Sequence, residues 1–223
     1  MILLQTVEPT EAVANEASLN LFDLAVKGGW IMIPLVLLGI LAIYIFFERL
    51  LVIRKASYKD TTFMDKIKDY INEGKIDAAI TLCKNTDTPY SRMIEKGISR
   101  LGRPMNDVSV AIENVGNIEI GKLERGMSLL ATIAGGGPMI GFLGTVAGMI
   151  EAFFNMANAG NNVDISLLSN GIYVAMVTTV AGLVVGIIAF FAYNYLTSKV
   201  DEVVNNMEAR SVEFMDILNA PAE

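Results

Sequence analysis

The sequence has no histidine at all and only one cysteine, Cys83, among its 223 residues. The commonest catalytic base and metal ligand is therefore missing, and a single cysteine cannot form an intrachain disulfide. No paired carboxylates, metal-ligating cluster or nucleophile–base set is apparent, so neither an enzyme nor a cofactor-binding protein is expected. The net charge is −7, and no basic face is interleaved with aromatic residues, which argues against nucleic acid as a partner.

Charged residues are also missing from three long stretches of the chain, residues 30–47, 126–150 and 165–198. Each stretch is long enough and apolar enough to cross a lipid bilayer as a helix. A signal peptide is the competing interpretation of the first stretch, but that stretch follows an acidic segment and lacks a small-residue cleavage pattern. The sequence therefore predicts an all-α integral membrane protein with three transmembrane helices.

The basic residues indicate how these helices are oriented. All 17 Lys and Arg lie within residues 49–125, except Lys27, Lys199 and Arg210. Because basic loops stay on the cytoplasmic side, the N-terminus is predicted outside and the 49–125 segment and the C-terminus inside. The predicted order is an outer N-terminal segment (1–17), an interfacial amphipathic helix (18–28), the first span (29–53), a cytoplasmic helical domain (54–128), the second span (129–157), an outer loop (158–165), the third span (166–195) and a cytoplasmic C-terminal helix (196–223).

Small residues dominate one face of the second span and one face of the third. They are Pro138, Gly141, Gly144 and Gly148 around Thr145, and Ala175, Gly182 and Gly186 around Thr179. One interpretation is tight helix packing, with each hydroxyl bonded to the carbonyl four residues earlier. The other is that these faces line the lumen of a ring of copies, where the threonines contact water or ions. The residues alone leave both interpretations open.

The helical domain carries local helix signals, among them Thr88 as an N-cap followed by Pro89 at the first helical position. Asn106 is predicted to cap a helix that continues without a stop signal into the second span, forming one continuous rod. The helix after the third span has its own apolar stripe, formed by Val200, Val203, Met207, Phe214 and Leu218. We expect this stripe to pack on the rod or on a neighbouring copy.

Three segments together resemble the spans of the MotA/TolQ/ExbB proton-channel family, in particular its ExbB/TolQ branch. They are GGWIMIPLVLLGILAIYIFFERLLVIR, LERGMSLLATIAGGGPMIGFLGTVAGMIEAF and GIYVAMVTTVAGLVVGIIAFFAYN. The most specific motifs are P-x-x-G-x-x-G-T-V-x-G, from Pro138 to Gly148, and T-x-x-G-L, from Thr179 to Leu183. The resemblance covers the chain from about Ser18 to Asn194.

This resemblance implies a homopentameric ring in a bacterial inner membrane, with a periplasmic N-terminus and a cytoplasmic C-terminus. Inside the ring would sit a dimer of an ExbD/TolR-like single-span partner, whose membrane aspartate carries protons past Thr145 and Thr179. Proton flow would drive movement of that partner and deliver work to a periplasmic or outer-membrane system, with a TonB-like envelope protein as a possible recipient. Siderophore-receptor energisation, outer-membrane maintenance and surface motility all use rings of this type, and the three-span plan argues against a flagellar stator.

One position departs from the family pattern. ExbB-like members often have a glutamate five residues before the third-span threonine, where this chain has Val174. Glu151 is the carboxylate nearest in depth, and it has three competing roles: a pore-side acid, an acid that pairs with the partner, or a residue at the outer interface. Thr178 is expected to be a packing hydroxyl rather than part of the path. The competing functions are a structural scaffold ring without ion conduction and a motility-type stator subunit.

Overall fold

The structure is a computed structural model that describes residues 28–57, 60, 62–158 and 165–219, and these residues form seven helices. In chain order the helices are α1 (Met32–Ala56), α2 (Phe63–Asn72), α3 (Ile76–Thr86), α4 (Pro89–Ile98), α5 (Met105–Leu123), α6 (Met127–Asn158) and α7 (Ile165–Asn219). The described residues contain no strand. The predicted N-terminal segment (1–17), nearly all of the interfacial helix (18–28) and most of the outer loop (158–165) lie outside the described residues.

Three of these helices, α1, α6 and α7, contain stretches long and apolar enough to cross a membrane, which confirms the predicted all-α membrane fold. On α1 the side chains of Ile33, Leu37 and Ile40 are exposed, as expected of a helix whose outer surface faces lipid. The opposite side of α1 is buried, and it carries Leu35 and Ala42. This buried side packs against α6 and α7.

The remaining helices, together with the part of α7 after residue 196, form the helical domain. Its core is continuous with that of the spans and includes Phe63 of α2, Ile94 of α4 and Ile112 of α5. The predicted apolar stripe of α7 packs into this core, where Phe214 is fully buried and a Cβ on Gly97 would approach its ring to 2.6 Å. The stripe is therefore packed against other helices of the same chain.

Local helix signals in this domain are confirmed where they depend on neighbouring residues. Thr88 and Ser91 form a reciprocal capping box at the start of α4, with Pro89 in the first turn. The Ser91 backbone amide donates to the Thr88 hydroxyl at 3.3 Å, and the Thr88 amide donates to the Ser91 hydroxyl at 3.0 Å. These two bonds satisfy amide groups that a helix start otherwise leaves without partners.

The continuous rod predicted from Asn106 into the second span is wrong. α5 ends at Leu123, and α6 begins at Met127. Between them Gly126 adopts a left-handed conformation with φ of 81°, which residues with a Cβ rarely adopt. Gly126 lies three residues after the last residue of α5 and directly before α6, so the left-handed residue interrupts the helical path between them. Because of this break, α5 of the helical domain and α6 of the second span are separate helices joined by a short turn.

Candidate functional site

The small faces of α6 and α7 pack directly against each other within one chain. A Cβ on Gly182 would lie 2.6 Å from the Gly137 carbonyl oxygen and 2.8 Å from the Gly141 Cα. A Cβ on Gly141 would in turn lie 2.9 Å from the Thr178 carbonyl oxygen. Such short distances mean that the two backbones are in contact, which only residues without side chains allow.

This contact extends along most of both spans. Towards the C-terminal end of α6 Gly148 lies against Ala175, and towards its N-terminal end Pro138 lies against Gly186. The residues predicted as the small faces therefore form one antiparallel interface, hereafter the α6–α7 seam, which comprises Pro138, Gly141, Gly144, Gly148, Ala175, Gly182 and Gly186. Tight helix packing, one of the two interpretations of these faces, is what the structure contains.

Thr145 and Thr179 meet at one edge of the seam, and their hydroxyl oxygens are hydrogen-bonded to each other. Each hydroxyl is also within hydrogen-bonding distance of the carbonyl oxygens of Gly141 and Ala175. The Thr145 hydroxyl lies 3.4 Å from the Gly141 oxygen and 3.3 Å from the Ala175 oxygen, and the Thr179 hydroxyl lies 3.3 Å and 3.4 Å from the same two oxygens. Both side chains are half-buried. The two hydroxyls have only two protons between them, so one hydroxyl donates to the other, which in turn donates to a backbone carbonyl of the seam.

The threonine pair lies on the side of the seam away from α1. Helix α1 covers the other side, where Ile31, Met32 and Leu35 pack against Ile140, Ala147 and Ala181. Thr145 and Ala147 are two residues apart on α6, and Thr179 and Ala181 are two apart on α7. A separation of two residues is a rotation of about 200° around a helix. The two hydroxyls consequently share an edge that no other described part of the chain covers.

The edge around the threonine pair is formed by large apolar side chains. Phe142 of α6 and Met176 and Leu183 of α7 are within one helical turn of the pair, and all three are exposed. The pair is therefore a polar spot on an otherwise bulky and apolar surface.

Thr178 has a different environment from its neighbour Thr179. Its side chain is 1% exposed and donates to the Ala175 carbonyl at 2.8 Å. It also fills the space beside Gly144, where an added Cβ would lie 2.7 Å from the Thr178 Cβ. Thr178 is thus inside the seam, where its hydroxyl has a backbone partner.

Glu151 is exposed in the last turns of α6. It follows Ala147 by four residues and so lies above it on the side of α6 that faces α1. The structure does not bring Glu151 together with Thr145 and Thr179. Val174, at the position of the family glutamate, is half-buried on α7. Among the described residues, no group of three or more carboxylate and thiol side chains is arranged to hold a metal ion.

A charged cluster in the helical domain was not anticipated from the sequence. Glu119 of α5 has a side chain only 4% exposed, and it accepts from Arg92 of α4 at 2.6 Å and from Lys122 at 2.7 Å. Burial alone would raise the pKa of this carboxyl, but the two cationic donors outweigh burial and hold the pKa below its ordinary value. The pairing of Glu119 with Lys122 at a spacing of three was visible in the sequence, whereas Arg92 comes from another helix.

Comparison with known proteins places this sequence in a family. Residues 85–209 match the model of the MotA/TolQ/ExbB proton channel family. A putative biopolymer transport protein ExbB homolog from Methanothermobacter thermautotrophicus is 29% identical over 82% of this chain, which covers 64% of that relative, less than two thirds of its length. A putative ExbB-like protein from Synechocystis is 29% identical over 80% of this chain and 71% of its own.

A further relative comes from the TolQ group. The Tol-Pal system protein TolQ of Haemophilus influenzae is 35% identical over 48% of this chain and 46% of its own. The family match spans α4, α5, α6 and the greater part of α7, and so it includes the whole α6–α7 seam. With the seam, its two threonines and the three spans all within one architecture, the chain belongs to the MotA/TolQ/ExbB proton channel family.

Proposed function

We propose that this chain is the ring-forming subunit of a proton-driven energy transducer in a bacterial inner membrane. With an ExbD/TolR-like single-span partner in the ring, it couples the proton motive force to work in the periplasm or the outer membrane. The family match and the ExbB and TolQ names of its relatives support this function. A homopentamer is the proposed assembly, and a TonB-like envelope protein is a candidate recipient of the work.

The position of the Thr145–Thr179 pair carries the proposal. In a ring whose α1 helices face lipid, the side of the seam away from α1 faces inward. The two hydroxyls would then be the polar groups that an acidic side chain on a central partner helix meets near the middle of the membrane. A proton crossing 100 mV releases about 2.3 kcal/mol. That energy is available to move the partner only if the proton passes through the ring wall or along it.

The other candidate residues take lesser roles in this proposal. Thr178 is assigned to packing because it is buried within the seam and bonded to a carbonyl. Glu151 is assigned to the outer interface, because it lies on the α1 side of α6, around the helix from the threonine edge. The N-terminus would be periplasmic, and the helical domain and the C-terminus cytoplasmic, in line with the distribution of basic residues.

The test is proton flux in vesicles that contain the chain together with its single-span partner. Thr145→Val and Thr179→Val keep the shape of the side chain and remove the hydroxyl. We expect each to reduce flux by roughly tenfold or more, the effect of losing one hydrogen-bonding group at a barrier. Thr178→Val is the matched control, since it makes the same change one residue away, and it should leave flux close to the parent value.

Two further variants sharpen this experiment. Thr145→Ser restores a hydroxyl and should recover most of the flux. Glu151→Gln should change neither flux nor partner binding if the residue belongs to the outer interface, whereas reduced flux would make it part of the path. Full flux in both valine variants of the pair would refute the proposed path.

A scaffold ring without ion conduction is the second candidate function. The observation that favours it is that the hydroxyls of the pair are bonded to each other and to carbonyls of the seam, as packing threonines are. A scaffold would bind its partner normally and would show no proton flux in the parent protein. A motility-type stator would conduct protons like the transducer and would differ from it only in the recipient of the work.

A further inference from the structure

The break between α5 and α6 is held by a side chain from α1. Arg49 is buried, with 9% of the residue exposed, although it carries a full charge. Its Nη1 donates to the carbonyl oxygen of Lys122 at 3.0 Å, across 73 positions of sequence. Lys122 belongs to the last turn of α5, whose carbonyls have no partner within the helix. Arg49 thus supplies a hydrogen bond that the interrupted helix cannot make for itself.

The same side chain is fixed from the other direction by its neighbour. Arg49 donates through Nε to a Glu48 carboxylate oxygen at 2.5 Å, and through Nη2 to the other carboxylate oxygen. The planar guanidinium can make these three bonds at once because its donors point in different directions within one plane. The cation also lies at the C-terminal end of α5, where the helix dipole favours positive charge.

A second residue of α1 contacts the break independently of Arg49. Ile45, one helical turn before Arg49, lies 3.8 Å from the position that a Cβ on Gly126 would occupy. Gly126 is the residue whose left-handed conformation ends the helical path. One face of α1 therefore contacts the break at two points, Lys122 before it and Gly126 within it.

From these contacts we infer that Arg49 is a latch: it sets the angle between α5 and α6 by tying the break to the first span. The latch couples the orientation of α5 in the helical domain to that of α6 in the second span, which a glycine turn without this hydrogen bond would not do. Without the guanidinium, the Lys122 carbonyl loses this hydrogen bond, and the break is held by the apolar packing of Ile45, Leu123 and Met127 alone on the side of α1. The two helices then sample a wider range of angles while each stays helical.

The first measurement is backbone hydrogen exchange in the full chain reconstituted in lipid nanodiscs. In Arg49→Met, amides of residues 124–128 should exchange roughly tenfold faster or more, the factor expected from loss of a hydrogen bond to a charged group. Arg54→Met is the matched control, because Arg54 is an exposed arginine at the same end of α1. It removes the same charge and should leave exchange at 124–128 unchanged.

The second measurement is the distance distribution between spin labels on introduced cysteines at Asn117 of α5 and Leu129 of α6, both exposed. The native Cys83 does not compete for label, since it is fully buried and burial raises the pKa of its thiol to about 12. The distribution should be narrow in the parent and in Arg54→Met, and broader in Arg49→Met.

Several outcomes would overturn the latch. A narrow distribution with unchanged exchange in Arg49→Met would do so, as would equal broadening in both methionine variants. Should Arg49→Met fail to fold, Arg49→Lys decides, because lysine keeps the charge but lacks the planar fork with which the guanidinium bonds both Glu48 oxygens and the Lys122 carbonyl. Local acceleration of exchange at 124–128 in that variant supports the latch, and parent-like exchange refutes it. Neither readout depends on proton flux, so failure of the latch and failure of the proposed function are distinguishable.

Discussion

Replacing glycines of the α6–α7 seam, or the adjacent Gly137, by alanine should destabilise the protein in an order set by the distance from the new methyl group to the facing backbone. At Gly182 a methyl group would meet the Gly137 carbonyl at 2.6 Å and the Gly141 Cα at 2.8 Å, and neither backbone atom can rotate away. At Gly141 the closest backbone atom is at 2.9 Å, and at Gly137 it is at 3.2 Å. The helices must separate most for Gly182→Ala and least for Gly137→Ala.

The magnitude follows from two opposing terms. Overpacking costs about 1–3 kcal/mol, while alanine in place of a helical glycine gains about 1 kcal/mol in helix propensity. The net loss is then about 2 kcal/mol for Gly182→Ala and close to zero for Gly137→Ala. At roughly 2–4 °C per kcal/mol for a chain of this size, Gly182→Ala should lower the Tm by about 4–8 °C.

The assay is thermal unfolding in nanodiscs, with Gly135→Ala as the control. A methyl group on Gly135 meets nothing within 4 Å, so this variant should keep or slightly raise the Tm. Equal Tm values for Gly182→Ala and Gly135→Ala would refute the idea that direct backbone contact explains these glycines. A reversed order between Gly182 and Gly137 would mean that the register of the two helices differs from the one described here.

Two further predictions concern the helical domain. Glu119→Gln should lower the free energy of unfolding by about 1–2 kcal/mol near neutral pH, because the carboxylate holds Arg92 and Lys122. The pKa of Glu119 is lower in the folded state than its ordinary value of 4.5. The carboxylate therefore contributes its full stabilisation at a pH above 4.5, and this stabilisation is lost as the pH falls through the folded-state pKa. The unfolding curves of parent and variant should consequently converge in acid. Phe214→Ala should lower the free energy of unfolding by about 3–5 kcal/mol, because it is a large-to-small change at a fully buried site. The control is Val212→Ala, which changes a residue that is 62% exposed and should leave the free energy of unfolding within about 0.5 kcal/mol of the parent.

The sequence was sufficient wherever the structure depends on local signals or on composition. The three spans follow from charge-free length, and the start of α4 follows from Thr88 and Pro89, because a capping box involves only residues three apart. The apolar stripe ending in Phe214 also predicted a buried face correctly, since its period matches the α-helix.

What the sequence could not provide is the pairing between distant residues. Gly126 was one glycine among many, and only its backbone conformation identifies it as the end of a helical path. Arg49 resembled an ordinary basic residue at the end of a span, because its carbonyl partner lies 73 positions away. For the seam, spacing predicted two small faces, but no periodicity tells whether such faces meet each other or a third helix.

That last distinction changes what a central partner helix would encounter in the proposed ring. The glycines are occupied by contact within one chain, so they cannot also form a smooth wall for the partner. The edge left for the partner carries Phe142, Met176 and Leu183 around the hydroxyl pair. Any barrier to partner movement would therefore come from these exposed side chains, while the glycine seam holds α6 and α7 together behind the two hydroxyls. Close packing behind the pair and apolar bulk around it are separate demands, and α6 and α7 meet them with different residues.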